Sequence, residues 1–176
     1  MRIHLLLPKV LVLRKKNDSQ LKELYSNILA PNAENISAAG QVLNSGELVA
    51  FPTETVYGLG GDATNEMAIA KIFDAKNRPS FNPLIVHVED AKQARNIVVF
   101  NELADQLTRV FWPGALTIVL PRRDDKISLL VSAGLGTLAV RSPNHIVAQA
   151  LISKTGLPIA APSANRSGQI SPTEAE

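Results

Sequence analysis

The sequence predicts an α/β domain in which a mixed sheet carries flanking helices. Three observations lead there. Short apolar runs bounded by Pro, Gly and Asn alternate with stretches of helical apolar spacing, a layout that gives a sheet with helices packed on it. The length, 176 residues, is that of roughly one domain, and no internal repeat or linker divides it. The composition, 45% hydrophobic and 19% charged, suits a buried core, while no apolar run approaches the ~20 residues of a membrane helix. Absence of cysteine excludes disulfides, thiolate nucleophiles, iron-sulfur clusters and cysteine-ligated zinc, and it allows a reducing compartment.

The elements follow in order. His4 to Leu13 is apolar and precedes Arg14, Lys15 and Lys16, yet Lys9 interrupts it and its charges follow rather than lead, so a short strand is expected and not an export signal. The lack of an acidic residue before Asp18 leaves a weaker organelle-targeting reading open. From Ser19, the apolar residues Leu21, Leu24, Tyr25 and Ile28 predict a helix up to Pro31. A second helix is predicted over Ala33 to Ser45, with Ile36, Ala39, Val42 and Leu43 inward and Gly46 at its C-terminal cap. Leu48 to Phe51 reads as a buried strand, and Thr53 to Asp62 as a loop or irregular strand.

Thr64 or Asn65 caps the next helix, which runs to about Lys76 with Met67, Ile69, Ile72 and Phe73 inward. Asn77 to Pro83 is a loop and Leu84 to Val88 a strand, after which Asp90 and Asn101 cap two helices, the second holding Leu103, Leu107, Val110 and Phe111. Ala115 to Leu120, Ile127 to Val131 and Leu138 to Arg141 are predicted strands, with a charged turn over Arg122 to Lys126. Ser142-Pro143 opens a helix to Gly156, and Pro158 to Ala161 is a last strand.

Charge limits the partners. Residues 1–36 hold six Lys/Arg against three Asp/Glu, and residues 37–176 hold twelve against thirteen, so a positive surface on the body must be a local patch. Ligand sites of such sheets form in loops leaving strand ends, which directs attention to Thr53–Asp62, Lys76–Pro83 and Pro162–Ser171.

Several residues there carry two readings each. Gly58-Leu59-Gly60-Gly61-Asp62-Ala63 fits the dinucleotide pattern G-x-G-x-x-A only formally, since no acidic residue follows in a strand end ~20 positions on, and a glycine-permitted turn is the plainer reading. Lys76 and Arg78 follow a helix, where they either converge on an anion, a compact charge beside a planar fork, or complement the helix dipole. Asn82 is either a hydrogen-bonding neighbour or a turn residue. His87 lies in the apolar run Leu84–Val88, as a core histidine or a functional one. Arg141 ends a strand, either reaching water or clamping a carboxylate. Ser163, Asn165 and their neighbours offer hydroxyl and amide groups to a nucleotide or make an ordinary turn. No histidine spacing suits a protein-held catalytic metal. The sum is a cleft for anions, in which catalysis rests on positioning and electrostatics.

Together these loops resemble the YrdC-like family of threonylcarbamoyl-AMP synthases. The matching stretches are Phe51-Pro52-Thr53-Glu54-Thr55-Val56-Tyr57-Gly58-Leu59-Gly60, Lys76-Asn77-Arg78-Pro79, Asn82 to His87, Trp112-Pro113-Gly114 with Leu116-Thr117, Thr137 to Arg141, and Ala160 to Asn165. They stand in the family's order over residues 37–176, the expected catalytic domain, and residues 1–36 form an N-terminal extension without its motifs. The resemblance implies a twisted mixed sheet with a concave, locally basic face. It implies ATP-dependent joining of L-threonine and bicarbonate into threonylcarbamoyl-AMP and pyrophosphate, with magnesium carried by the nucleotide. It places threonine on Thr55, His87, Arg141 and the backbone at Ala161, and ATP on Lys76, Arg78, Asn82, Thr137, Ser163, Asn165 and Ser171, with Lys76 and Arg78 neutralising the phosphates.

A cytoplasmic enzyme serving the tRNA threonylcarbamoyl-transfer machinery is the expectation, with no membrane partner. Double-stranded RNA or tRNA binding by the basic face, and a carbamoyl-transfer domain of a hydrogenase-maturation protein, are the alternatives. The balanced charge of the body speaks against the first and the lack of zinc-finger-like cysteines against the second. Ser171-Pro172-Thr173-Glu174 reads as a capping box opening a helix, so the domain is expected to be truncated there.

Overall fold

In a computed structural model, which describes residues 10–14, 25–123 and 126–175, eight strands join in one sheet flanked by five helices. The strands are β1 (Val10–Arg14), β2 (Tyr25–Leu29), β3 (Leu48–Phe51), β4 (Gly58–Asp62), β5 (Ile85–His87), β6 (Ile118–Pro121), β7 (Thr137–Arg141) and β8 (Ile159–Ala160). Their order is β2-β1-β3-β4-β8-β5-β7-β6. Only β5 and β7 pair in parallel; the other ladders are antiparallel, so the sheet is mixed.

β3 shows how the core divides. Its side chains alternate, as strand geometry requires. Leu48 and Ala50 join Ile69, Ile72 and Phe73 of α2 (Glu66–Lys76) on one face. Val49 and Phe51 join Val42 and Leu43 of α1 (Ala33–Asn44) and Leu151 and Ile152 of α5 (Ile146–Thr155) on the other. α3 (Ala91–Ala94) and α4 (Glu102–Phe111) add Ala94 and Ala104 to the first face. Caps fall where short polar residues allow them: Asn32, Asn65, Asp90 and Asn101 each accept a first-turn N–H. Gly46, at φ +77°, follows α1 as expected.

Several expectations need correction. Residues 25–29, read as the end of a helix, are strand β2, because pairing with β1 outweighs an apolar spacing that fits both periods. The rest of that helix, residues 19–24, and the start of the first strand, residues 4–9, lie outside the described residues, as do 124–125 of the charged turn. Ile127 to Val131 is a turn, with the Ser128 hydroxyl accepting the Leu130 N–H at 3.2 Å while Ile127 and Val131 bury their side chains. α5 starts at Ile146, capped by His145 Nδ1, and Ser142 instead donates to the Glu89 carbonyl at 2.7 Å. Met67, in the first turn of α2, is 68% exposed.

The Gly58–Gly61 stretch is neither a turn nor a nucleotide fingerprint; it is the buried strand β4. A Cβ on Gly60 would lie 2.7 Å from Phe51 Cε1 and 2.9 Å from Ile159 Cγ2, so hydrogen is what fits there. Residues 171–175 stay irregular rather than starting a helix, and the Tyr57 N–H donates to the Pro172 carbonyl at 2.9 Å, laying this segment along the loop before β4. No helix among the described residues is long and apolar enough to cross a membrane.

Candidate active site

The parallel pairing of β5 and β7 sets His87 opposite Arg141 at the strand ends. Both are buried. The Arg141 guanidinium donates from Nε to the Gly114 carbonyl at 3.2 Å and from Nη2 to the Thr55 hydroxyl at 3.2 Å, and Nη2 forms an ion pair with Glu54 Oε1 at 2.8 Å. Gly114 is itself held by donating its N–H to the Ser142 carbonyl at 2.7 Å, and a Cβ there would strike the Phe111 carbonyl oxygen. The Thr53 hydroxyl accepts the N–H groups of Thr55 and Val56 and donates to the Val56 carbonyl, folding the loop so that Glu54 and Thr55 reach the arginine.

His87 meets the Phe51 ring edge-on, centroids 6.0 Å apart, and its Nδ1 is buried without a partner. Burial, and then the Arg141 charge, push its imidazole down to about 4, so it is neutral at physiological pH. Burial tends to raise the Glu54 carboxyl, but the Arg141 contact and backbone N–H groups outweigh it and hold it below the ordinary range. Ala161 follows β8 and donates its N–H to the Ile85 carbonyl at 2.9 Å.

A second cluster forms where α2 ends. Lys76 is 2% exposed, and its ammonium donates to the carbonyls of Ser163 and Asn165, binding the loop after β8 to the helix. Burial, then Arg78, lower its proton affinity. This loop also lies along β4, through the Leu59 N–H on the Pro162 carbonyl and the Ala164 N–H on the Tyr57 carbonyl. The Asn165 amide nitrogen donates to Arg166 and Gln169 carbonyls, whereas its Oδ1 is buried and unpartnered. Arg78 donates to the carbonyls of Asn82 and Pro83 at 3.3 and 3.1 Å, and burial lowers its proton affinity too.

Thus the structure groups Thr55, His87 and Arg141 near Ala161, Lys76 with Ser163 and Asn165, and Arg78 with Asn82. Thr137 is exposed at the opposite end of β7, and Ser171 is half-buried beside Pro172; neither is drawn into these contacts. Sequence reasoning did not single out Glu54 or Gly114. The signal for Glu54 was present, an acidic residue beside a hydroxyl cluster in a polar loop, but nothing local names its partner 87 positions away. Among the described residues no group of three or more His, Asp or Glu side chains could hold a metal ion.

A mixed sheet with a buried arginine and a neutral histidine at the ends of adjacent strands, and a buried lysine at the end of a flanking helix, defines an α/β protein with buried basic residues beside its sheet. The family described as "Telomere recombination", Sua5/YciO/YrdC, matches residues 41–176. The chain belongs to this family. It is 54% identical over 149 residues to the threonylcarbamoyl-AMP synthase of Bacillus subtilis, covering 84% of this chain and 43% of that one. It is 48% identical to the synthase of Pyrococcus abyssi, over 80% of this chain and 41% of the other. Its fold superposes with a TM-score of 0.79 on the crystal structure of P. abyssi Sua5 complexed with L-threonine, at 47% identity, covering 81% of this chain and 42% of that chain. The chain therefore spans somewhat under half the length of these relatives.

Proposed function

We propose that this chain carries the adenylate-forming site of a threonylcarbamoyl-AMP synthase. The amine of L-threonine adds to carbon dioxide with release of a proton, or to bicarbonate with release of water, and either route gives a carbamate. A carbamate oxygen then attacks the α-phosphorus of ATP, and the bond to pyrophosphate breaks. Arg141 fixes the amino-acid carboxylate, and the Thr55 hydroxyl and the unpartnered, neutral His87 Nδ1 meet the polar groups of threonine. Lys76 has used two of its three protons on Ser163 and Asn165, which leaves one for a phosphate oxygen, and Arg78 adds its charge as pyrophosphate leaves. Asn82, Ser163, Asn165, Thr137 and Ser171 complete the ATP side in this reading. Magnesium carried by the nucleotide would screen the phosphates in this reading.

The observation that carries the reading is the convergence of a buried arginine, a threonine hydroxyl and a neutral imidazole whose Nδ1 has no partner at one strand end. The product would supply a cytoplasmic tRNA threonylcarbamoyl-transfer step. The test is threonine-dependent release of pyrophosphate from ATP in the presence of bicarbonate. Serine, lacking one methyl group worth roughly 1–3 kcal/mol, is expected to be a modestly poorer substrate, and valine, which leaves the polar groups unpaired, a far poorer one. Valine turning over as well as threonine would overturn the assignment.

A further inference from the structure

We propose that Glu54 is a built-in occupant of the amino-acid carboxylate site, which the substrate's own carboxylate displaces from Arg141. The inference rests on the threonine reading above and adds to it a residue that sets access to the site. An arginine whose side chain is only 9% exposed needs a counter-charge when no substrate is bound, and Glu54 is the carboxylate that the described residues give it. The contact is single-pronged, Oε1 on Nη2 at 2.8 Å, while Nε and Nη2 also serve Gly114 and Thr55. A two-pronged carboxylate would grip the same fork better.

The glutamate is also placed to leave. Its side chain is 22% exposed, and its loop is pinned on both flanks, at the Thr53 hydroxyl and at Tyr57 through Pro172 and Ala164, so the side chain can turn to solvent without unfolding the loop. Two carboxylates on one arginine repel each other, which makes the exchange competitive. The alternative, that Glu54 stays and grips the substrate's ammonium, works against the chemistry. A carboxylate beside an amine raises its proton affinity, and only the unprotonated amine can attack carbon dioxide.

The test is calorimetric titration of the wild type, Glu54→Gln and Glu54→Ala with L-threonine and with 3-hydroxybutyrate, which lacks the amine, beside steady-state KM values for threonine. Displacement predicts that both variants bind both ligands tighter, by roughly 5-fold for an ion pair that keeps some contact with water, with KM for threonine falling in parallel. Unchanged affinities would overturn it. Weaker binding of threonine with 3-hydroxybutyrate unaffected would overturn it in favour of a grip on the ammonium. Failure of wild type and variants alike to bind threonine would instead sink the threonine site, and this inference with it. Melting curves identify a variant that does not fold, and Glu54→Gln, which keeps the size of the side chain, then decides alone.

Discussion

His87 and Arg141 are register partners in the parallel ladder of β5 and β7, so an uncharged imidazole stands next to a buried guanidinium. Burial accounts for most of the histidine's state, and the pairing adds to it. Protonation would place two cations side by side out of water, a cost that the backbone groups of Ile85 and Ile159 and the Glu54 carboxylate offset only in part.

Stability should therefore depend on pH through His87. Its folded value, about 4, lies below the ordinary 6.5, so between these values the unfolded chain binds the extra proton. Stability is full above about 6.5, falls as pH drops toward 4, and stops falling from this source below that. Urea midpoints from pH 7.5 to 4.5 for the wild type and His87→Asn would check this; the variant should show a shallower decline, and parallel curves would contradict it.

Arg78→Ala should leave the fold nearly intact and cut adenylate formation by roughly 10- to 100-fold, the effect of losing one charge-assisted phosphate contact. Its structural contacts are two carbonyls of its own loop, so the melting temperature should move little. Pyrophosphate release at the wild-type rate under saturating ATP would remove Arg78 from the proposed chemistry.

Lys76→Met should behave differently, because this side chain is buried and ties two carbonyls of another loop to α2. Both activity and stability should fall, the latter by about 1–3 kcal/mol, since the carbonyls lose their donor. Calorimetry beside ATP titration tests the pair; lost nucleotide binding at unchanged melting temperature would show that the loop does not need the lysine.

Gly60→Ala should destabilise by about 1–3 kcal/mol, as overpacking against Phe51 and Ile159 forces the strand or the ring to shift. The double variant with Phe51→Leu should recover part of the loss. Full stability of Gly60→Ala in urea would show that the sheet yields without strain.

Much of this was readable from the chain. β3, α1, α2 and the caps at Asn65, Asp90 and Asn101 follow from apolar period and short polar residues, which are local properties. Ile127–Val131 misled because burial, not strand geometry, explains its apolar content. β2 misled because a five-residue segment cannot distinguish two periods until its partner is known. At the site, His87 stood out as a polar residue in an apolar run, Arg141 as a cation ending a strand, and Lys76 with Arg78 as two cations after a helix. Their partners, carbonyls and a glutamate far away in sequence, are set by topology, and no local pattern encodes those distances.

The two-residue strand β8 has a consequence in time. It alone bridges β4 and β5 in the sheet, with antiparallel partners on both sides, and the loop carrying Ser163 and Asn165 leaves from its end. During synthesis, β1 to β4 on one side and β5 to β7 on the other are all exported from the ribosome before residue 159 appears. The seam stays open until then, with two half-sheets exposing edges that must not pair with anything else. The cleft is therefore assembled among the last events of folding, and a nascent chain arrested before Ile159 should hold neither half of it in register.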